Sequence, residues 1–366
     1  MYRRDWPQHE IIYNWLQNYI EWLRIDRKLE KFVALSLNDT WRENGTFVMQ
    51  LVSFGENHLY TSGLFGSNSF PLTSVSLAAM GEADRLVEIP REDWEEWRDL
   101  YRRDWPRHEL AFNLVQNYIE WSKRDRKIKD LALYSLNGSW RENGTFIVTD
   151  RIDLYMHTLD ESLDTLRRAL ELVDWDYYYV ALMCAYETLV FDTFKKLNVR
   201  VSVARPNTMY FLSKEEALKL SVTVPEGLRV GPLQPPHAKM INDLWPHRET
   251  GSEFSIERLI RWNPSMGLFD EQANLLGWCL FTQAGVMGSL GVIERRKGYG
   301  KIVVKAFAKR LAEMGHNLYA SILVENEPSK ALFASVGFKP IMEVNWIRNC
   351  ERKFVEWSCG DKLEFH

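Results

Sequence analysis

At 366 residues the chain is two to three times the usual single-domain length, so more than one hydrophobic core is expected. Hydrophobic residues make up 46% and charged residues 26%, with 15 Trp, 15 Tyr and 18 Phe, which is too much buryable surface for a disordered chain. The 46 basic and 50 acidic side chains leave a net charge of −4 with no polybasic block, which excludes bulk attraction to nucleic acid or to an anionic membrane surface.

The chain opens with an internal repeat. Residues 2–49 match residues 101–148 at a constant offset of 99, with 28 of 48 positions identical. One partial duplication is not a solenoid, which needs three or more shorter units. Residues 51–79 hold a single charged residue, Glu56, with six serines and three glycines. Residues 1–79 are therefore expected to be a partial copy plus a low-charge linker, not an independent fold. Met80 opens a charged stretch that leads into the second copy. The N-terminus carries charge where a secretory signal is apolar, and no apolar run is long enough to span a bilayer. An intracellular, cytoplasmic chain is expected, a mitochondrial one being the alternative. Cys184, Cys279, Cys350 and Cys359 form no CxxC pair and no histidine cluster has metal spacing, so neither a disulfide framework nor a metal site is expected.

Residues 80–226 read as an α/β domain. Leu86 to Ile89 is strand-like. Glu92 to Tyr101 and Glu109 to Trp121 carry helical spacing around the break at Pro106. Strands are expected over Leu131 to Leu136 and Thr145 to Tyr155, a helix over Ser162 to Val173, a strand over Tyr177 to Leu182, a helix over Thr188 to Leu197, and a strand over Val199 to Ala204. No glycine occurs between Thr145 and Glu226. Ser213 to Gly227, ending in Pro225-Glu226-Gly227, is the expected junction.

Residues 227–366 repeat that order. Leu228 to Leu233 is strand-like, and His237 to Trp245 and Phe254 to Trp262 are helical. Met266 to Phe269, Leu275 to Phe281 and Val286 to Val292 read as three short strands. A glycine cluster follows, Arg295-Arg296-Lys297-Gly298-Tyr299-Gly300-Lys301, opening an amphipathic helix with Val303, Val304, Phe307, Ala308, Leu311 and Met314 on one stripe and Gly315 as its stop. A strand over Leu318 to Val324, a helix over Ser329 to Val336 and a strand over Ile341 to Trp346 complete the chain. Strand, glycine-rich turn, helix is a geometry that holds phosphate through free backbone N–H groups and the positive end of the helix dipole.

The spacing R-x-x-G-x-G at Arg295 to Gly300, followed by Asn326-Glu327-Pro328-Ser329 and Val336-Gly337-Phe338, resembles the Gcn5-related N-acetyltransferase (GNAT) superfamily. The stretches Leu233 to Ala238, Ile256 to Ile260 and Gly291-Val292-Ile293 are similar to its glycine N-acyltransferase-like branch. The resemblance covers the last third of the chain and implies an acetyl-CoA or acyl-CoA cosubstrate. By position, Arg295, Arg296, Lys297, Gly298, Tyr299, Gly300 and Lys301 would surround the pyrophosphate. Leu290, Gly291 and Val292 would pair through their backbone with the pantetheine arm on a strand splayed from its neighbour, and Asn326 and Ser329 would contact the arm or the adenosine end. The implied fold class is α/β, two tandem GNAT-like domains, each a mixed, mostly antiparallel twisted sheet flanked by helices. Residues 80–226 form the degenerate one and residues 227–366 the acyl-CoA-binding one.

Two departures bear on catalysis. Many relatives have a tyrosine as general acid where this chain has Phe333, which donates no proton. The branch's glutamate base is expected near Val286 to Gly288, where the sequence has no carboxylate. Glu294, Glu325 and Tyr299 are the nearest titratable groups along the chain and read as loop residues, and Cys279, between Trp278 and Leu280, reads as strand core, so no catalytic residue is assigned. The glycine-free first half is expected to pack on the second and shape the acceptor cleft, with Trp175-Asp176-Tyr177-Tyr178-Tyr179 at its wall or in its core. Two functions stay open: an N-acyltransferase acting on a small amino-acid-like amine, and a silent acyl-CoA-binding or protein-interaction module.

Overall fold

The chain divides into two units, Met1–Gly81 and Glu82–His366. The computed structural model describes residues 31–36, 47–52, 60–61 and 83–349, apart from 127, 129, 177, 249 and 250. Residues 1–30 and 37–46 of the first repeat copy, most of residues 51–79, Tyr177 and Cys350 and Cys359 lie outside the described residues. In the first unit β1 (Lys31–Ser36) pairs antiparallel with β2 (Phe47–Val52), which pairs with β3 (Tyr60–Thr61). Leu35 pairs with Val48, and 99 residues further on Tyr134 pairs with Ile147, so the two copies share a hairpin register.

The second unit is built on one sheet of twelve strands. Its first half contributes β4 (Leu86–Glu88), β5 (Leu131–Leu136), β6 (Phe146–Asp150), β7 (Asp153–His157), β8 (Tyr179–Met183) and β9 (Val201–Leu212). Its second half contributes β10 (Arg229–Gly231), β11 (Ser265–Phe269), β12 (Leu275–Phe281), β13 (Val286–Val292), β14 (Leu318–Leu323) and β15 (Lys339–Asn349). In each half four strands pair antiparallel, and the fifth joins the fourth in parallel. The long sixth strands are exchanged: β9 lies between β14 and β15, and β15 lies between β9 and β8. The halves thus share one sheet, which side-by-side packing of two closed domains does not produce.

Alternate residues of each strand feed opposite cores, as the pleat requires. Trp278 and Leu280 of β12 join a core under α1 (Trp94–Leu100), α2 (Glu109–Arg124), α7 (His237–Leu244) and α8 (Ser252–Trp262). Cys279 and Phe281 join the opposite core, under α9 (Tyr299–Glu313) and α10 (Glu327–Val336). In the first half that opposite face is covered by α4 (Asp164–Leu170) and α5 (Glu187–Leu197). A single turn, α3 (Trp140–Asn143), precedes β6. The α9 stripe buries Val303, Val304, Phe307, Ala308 and Leu311 completely, each of the larger side chains contributing about 1.5–3 kcal/mol. Met314 does not join it: it is the C-cap, 46% exposed.

Several expected boundaries move, and three of the changes have a visible cause. The single strand over Thr145 to Tyr155 is a hairpin, β6 and β7, turned by Arg151 at φ 57° with Asp150 paired to Asp153. A non-glycine residue in the left-handed region gives no turn signal in the sequence. The strand expected over Val199 to Ala204 begins at Val201 and runs on to Leu212 through Pro206. Pro206 sits where β14 stops pairing, its carbonyl accepting from Val324 N–H at 3.1 Å, so its missing N–H breaks no ladder between them. Finally, the junction segment begins with a short helix, α6 (Lys214–Leu218), capped by Ser213, whose hydroxyl accepts from Glu216 N–H at 3.2 Å.

Candidate functional site

The second half forks between β13 and β14. The two strands pair only at Val286 with Tyr319 and Met287 with Ala320. On its other edge β13 stays on β12 across a bulge, with Trp278 opposite Gly291 and Leu280 opposite Gly288, and Ser289 at φ 49°. The extra residue bends the strand outward. Among the described residues no strand pairs with the β14-facing edge of residues 288–292, so its backbone groups open into the fork. Gly291 is fixed by packing, because a Cβ there would lie 2.2 Å from the Trp278 ring.

The turn after β13 leads into α9 at Gly298, φ 80°, with nothing within 4 Å of where its Cβ would be. Glycine is needed here for conformation, and the space beside it is open. Among the described residues no acceptor takes the N–H groups of Lys297, Gly298, Tyr299 or Gly300. Gly300 lets α9 approach α10, since a Cβ would lie 2.9 Å from Leu332. Arg295, Arg296, Lys297 and Lys301 are exposed. Their one described ion pair, Lys297 with Glu294 at 3.8 Å, is exposed on both sides and holds neither residue strongly. A pyrophosphate fits this turn: open space, unused donors and free cations coincide.

The fork opens into a cavity of about 640 Å³. Leu290, Asn326 and Ser329 line it; Gly291 and Val292 continue the strand, and the turn residues follow. Asn326 caps α10, its side-chain oxygen accepting from Ser329 N–H at 3.2 Å. Phe333 is 3% exposed and lines the cavity. The Cys279 thiol is fully buried, donates toward the Gly288 carbonyl at 3.5 Å and is pushed up to about 12 by burial, which suits core and not a nucleophile. Glu294 and Glu325 are exposed, and Tyr299 packs against the α9 core. Of the aromatic stretch, Tyr179 lines the cavity, whereas Trp175 is buried on the opposite face.

Two buried carboxylates escape a reading along the chain. Glu109, at the start of α2, accepts from the Tyr319 hydroxyl at 2.7 Å and from Asn317 Nδ2 at 3.0 and 3.1 Å. It puts a carboxylate one strand from Val286, but both its oxygens are engaged, and it ties α2 to β14. Asp150 pairs with Arg258 at 2.7 Å, and both line the cavity. The only local signal was a charge inside an apolar strand and another on the apolar face of α8.

The first half forks as well, with β7 and β8 paired only at Asp153 with Tyr179 and Leu154 with Val180, and Met156, His157 and Met183 line the same cavity, but the backbone donors of this fork are filled by the protein's own side chains. The Tyr186 oxygen accepts from Thr158 N–H at 3.4 Å and lies 3.0 Å from His157 Nδ1, while His157 Nε2 lies 3.0 Å from His108 Nδ1. Burial, then the neighbouring His108 and Arg107, lower His157 to about 3. At the start of α4, Leu163 takes the left-handed conformation (φ 60°) that Gly298 takes before α9. The Asp160 carboxylate already occupies this turn, accepting from Ser162 N–H at 2.9 Å and its hydroxyl at 2.6 Å, and from Thr165 N–H at 3.1 Å and its hydroxyl at 2.9 Å. These bonds, the Ser162 hydroxyl's above all, lower it to about 2.

The family model of FR47-like proteins matches residues 265–347, the span from β11 to β15. A search of curated proteins finds no match. Among solved structures, a Drosophila protein is similar at 21% identity with a TM-score of 0.66, over 74% of this chain and 100% of the other. A GCN5-related N-acetyltransferase from Sphaerobacter thermophilus is similar at 12% identity with a TM-score of 0.50, over 76% and 98%. At these identities the likeness is one of fold. With the two forked halves of the sheet, that fold is two GNAT-like halves in tandem. A tandem GNAT protein from the clavulanic acid biosynthesis pathway is similar at 14% identity with a TM-score of 0.47, over 73% and 98%.

Proposed function

We propose that the chain is an N-acyltransferase of the glycine N-acyltransferase-like kind, which binds an acyl-CoA or acetyl-CoA thioester in the β13–β14 fork and passes the acyl group to a small amino-acid-like amine in the cavity. One observation carries the reading: the fork of the second half is open and ends in a turn with unused N–H groups and free cations, while the donors of the equivalent fork are filled by the protein itself. In this reading the β14-facing edge of Leu290, Gly291 and Val292 bonds the pantetheine arm. The turn from Arg295 to Gly300, with Lys301, neutralises the pyrophosphate. Asn326 and Ser329 contact the arm through groups their mutual cap leaves free. The bound thioester supplies an activated acyl carbon. The chain supplies position, holding the amine against that carbon away from bulk water.

Phe333 favours a second reading. A phenyl ring at the fork gives no proton to a leaving thiolate, so the chain lacks one device that relatives use, and a silent acyl-CoA-binding module fits the same site. Calorimetric titration of the full chain with coenzyme A, followed by a free-thiol release assay with acetyl-CoA and longer acyl-CoAs against amino acids and polyamines, separates the cases. Binding with release above the no-protein background supports the transferase. Binding without release across the panel supports the silent module. No binding removes both.

A further inference from the structure

The cavity starts at the fork of the second half and continues into the fork of the first. Ser321 on β14, one residue beyond the last pair of the second fork, pairs with Met209 on β9, and Val344 on β15 pairs with Met183 on β8, beyond the last pair of the first fork. All four line the cavity, as does Met156 on β7, the other arm of the first fork. Helix α2 adds Leu110, Ala111 and Leu114 to the same lining. The exchanged strands thus carry one continuous path between the two forks.

That path is apolar. Leu110, Ala181 and Met183 line the cavity and are only half-buried, so hydrocarbon surface is left for a ligand to cover. Met156, Met183 and Met209 are unbranched and adapt to the shape of what fills the space beside them. The first fork has no donors left for a second pantetheine arm, because Tyr186 takes the Thr158 amide and Asp160 takes the helix start. His157, which also lines the cavity, has both ring nitrogens engaged. What the first fork still offers is the pair of thioether side chains. Towards the other end of the same strands the lining turns polar, with Asn207 and Arg205 on β9 and with His247 and Arg248 ahead of α8.

We infer that the path from the second fork across β14, β9, β15 and β8 into the first fork is a pocket for a medium-chain acyl group, so that the thioester substrate is a fatty acyl-CoA. The inference rests on the reading of the β13–β14 fork as the thioester site. From β14 to β8 the strand order takes three steps, about 14 Å at the ordinary strand spacing. An extended hydrocarbon chain advances about 1.25 Å per carbon at the ordinary C–C bond length, so a chain of about ten to twelve carbons reaches Met183. The half without a glycine turn sets the chain length for the half that has one, and the polar end of the cavity is left to the amine.

The test is calorimetry on the full chain, titrated with coenzyme A and with acetyl-, octanoyl- and dodecanoyl-CoA below their micelle concentrations. Affinity should rise with length, dodecanoyl-CoA binding about a hundredfold or more tighter than acetyl-CoA. Met183→Trp fills the far end of the path and should weaken dodecanoyl-CoA about tenfold or more, octanoyl-CoA less and acetyl-CoA least. Ala181→Leu is the smaller change on the same strand; it should weaken dodecanoyl-CoA a few-fold in the same order of lengths and decides the matter if Met183→Trp unfolds. Equal affinity for acetyl- and dodecanoyl-CoA, a gain with length that the folded variants leave intact, or equal losses for all three thioesters overturns the inference alone. Failure of the parent to bind coenzyme A or any of the thioesters overturns the reading beneath it, and the inference with it.

Discussion

Both halves of the shared sheet fork between a fourth and a fifth strand, and both send the fourth strand into a turn that starts a helix from a left-handed residue, Leu163 in one and Gly298 in the other. The first fork is closed from within, its strand amide at Thr158 taken by Tyr186 and its helix start taken by Asp160. The second is open at both places. The backbone device is the same, and the side chains that fill it decide whether a ligand can bond to it. A half that has closed its fork is still useful, since it lends β9 to the other half's sheet and Met156 and Met183 to its cavity.

The contrast breaks most sharply at Gly298. Gly298→Glu puts a carboxylate into the proposed pyrophosphate turn, and coenzyme A binding should fall about a hundredfold or more, the loss of two or more charge-assisted hydrogen bonds. With no atom within 4 Å of the new Cβ, the fold should survive; calorimetry and a melting curve read both effects.

Acidification should strike the closed fork first. The ordinary histidine value is 6.5 and His157 lies at about 3, so below pH 6.5 the unfolded chain binds a proton that the folded chain refuses. This contribution to stability is complete above pH 6.5 and is lost as pH falls towards 3, at about 1.4 kcal/mol per pH unit. Asp84 and Asp160, lowered to about 2 from 3.8, work in the other window: what they add is present above pH 3.8 and is lost below it. Denaturant titrations should therefore show a loss of roughly 2 kcal/mol from His157 between pH 6.5 and 4.5. His157→Gln should flatten that slope. His108, His237, His247 and His316, all lowered by burial, keep part of it.

Gly291→Ala tests the wall of the open fork. The new methyl meets the Trp278 ring at 2.2 Å and should cost about 1–3 kcal/mol in unfolding free energy as the indole shifts. Tyr186→Phe removes the acceptor of a buried amide from the closed fork and should cost about 1 kcal/mol. Coenzyme A stoichiometry should remain one, because Asp160 still fills the turn. The smallest effect is at Phe333. Phe333→Tyr should leave thiol release unchanged or raise it less than about tenfold, since a grafted acid seldom reaches the geometry that full assistance needs. A larger rise would make the missing hydroxyl the limiting step.

The open fork was the most legible part of the chain. β12 and β13 keep their expected bounds, Leu275–Phe281 and Val286–Val292, and the turn declares itself through Gly298 and Gly300. The α9 stripe follows helical spacing up to Met314. Short-range geometry produces these features, and short-range geometry is written in residue type and spacing. The closed fork was legible only as an absence of glycine. Its fillers, Tyr186 and Asp160, are ordinary residues whose role depends on what they reach.

The sequence by itself determined the repeat, most of the strands and helices in each half, the glycine-rich turn at Gly298, and the contrast between a half with a glycine turn and a half without one. Only the tertiary structure decided which strands lie side by side, because partner choice in a sheet depends on edges that meet across a hundred or more residues. That choice exchanged β9 and β15, joined two halves into one sheet, and brought Asp150 to Arg258, 108 residues apart. Neither residue carries a motif. Burial is what pairs them, since a carboxylate and a guanidinium removed from water must find each other or stay out of the core.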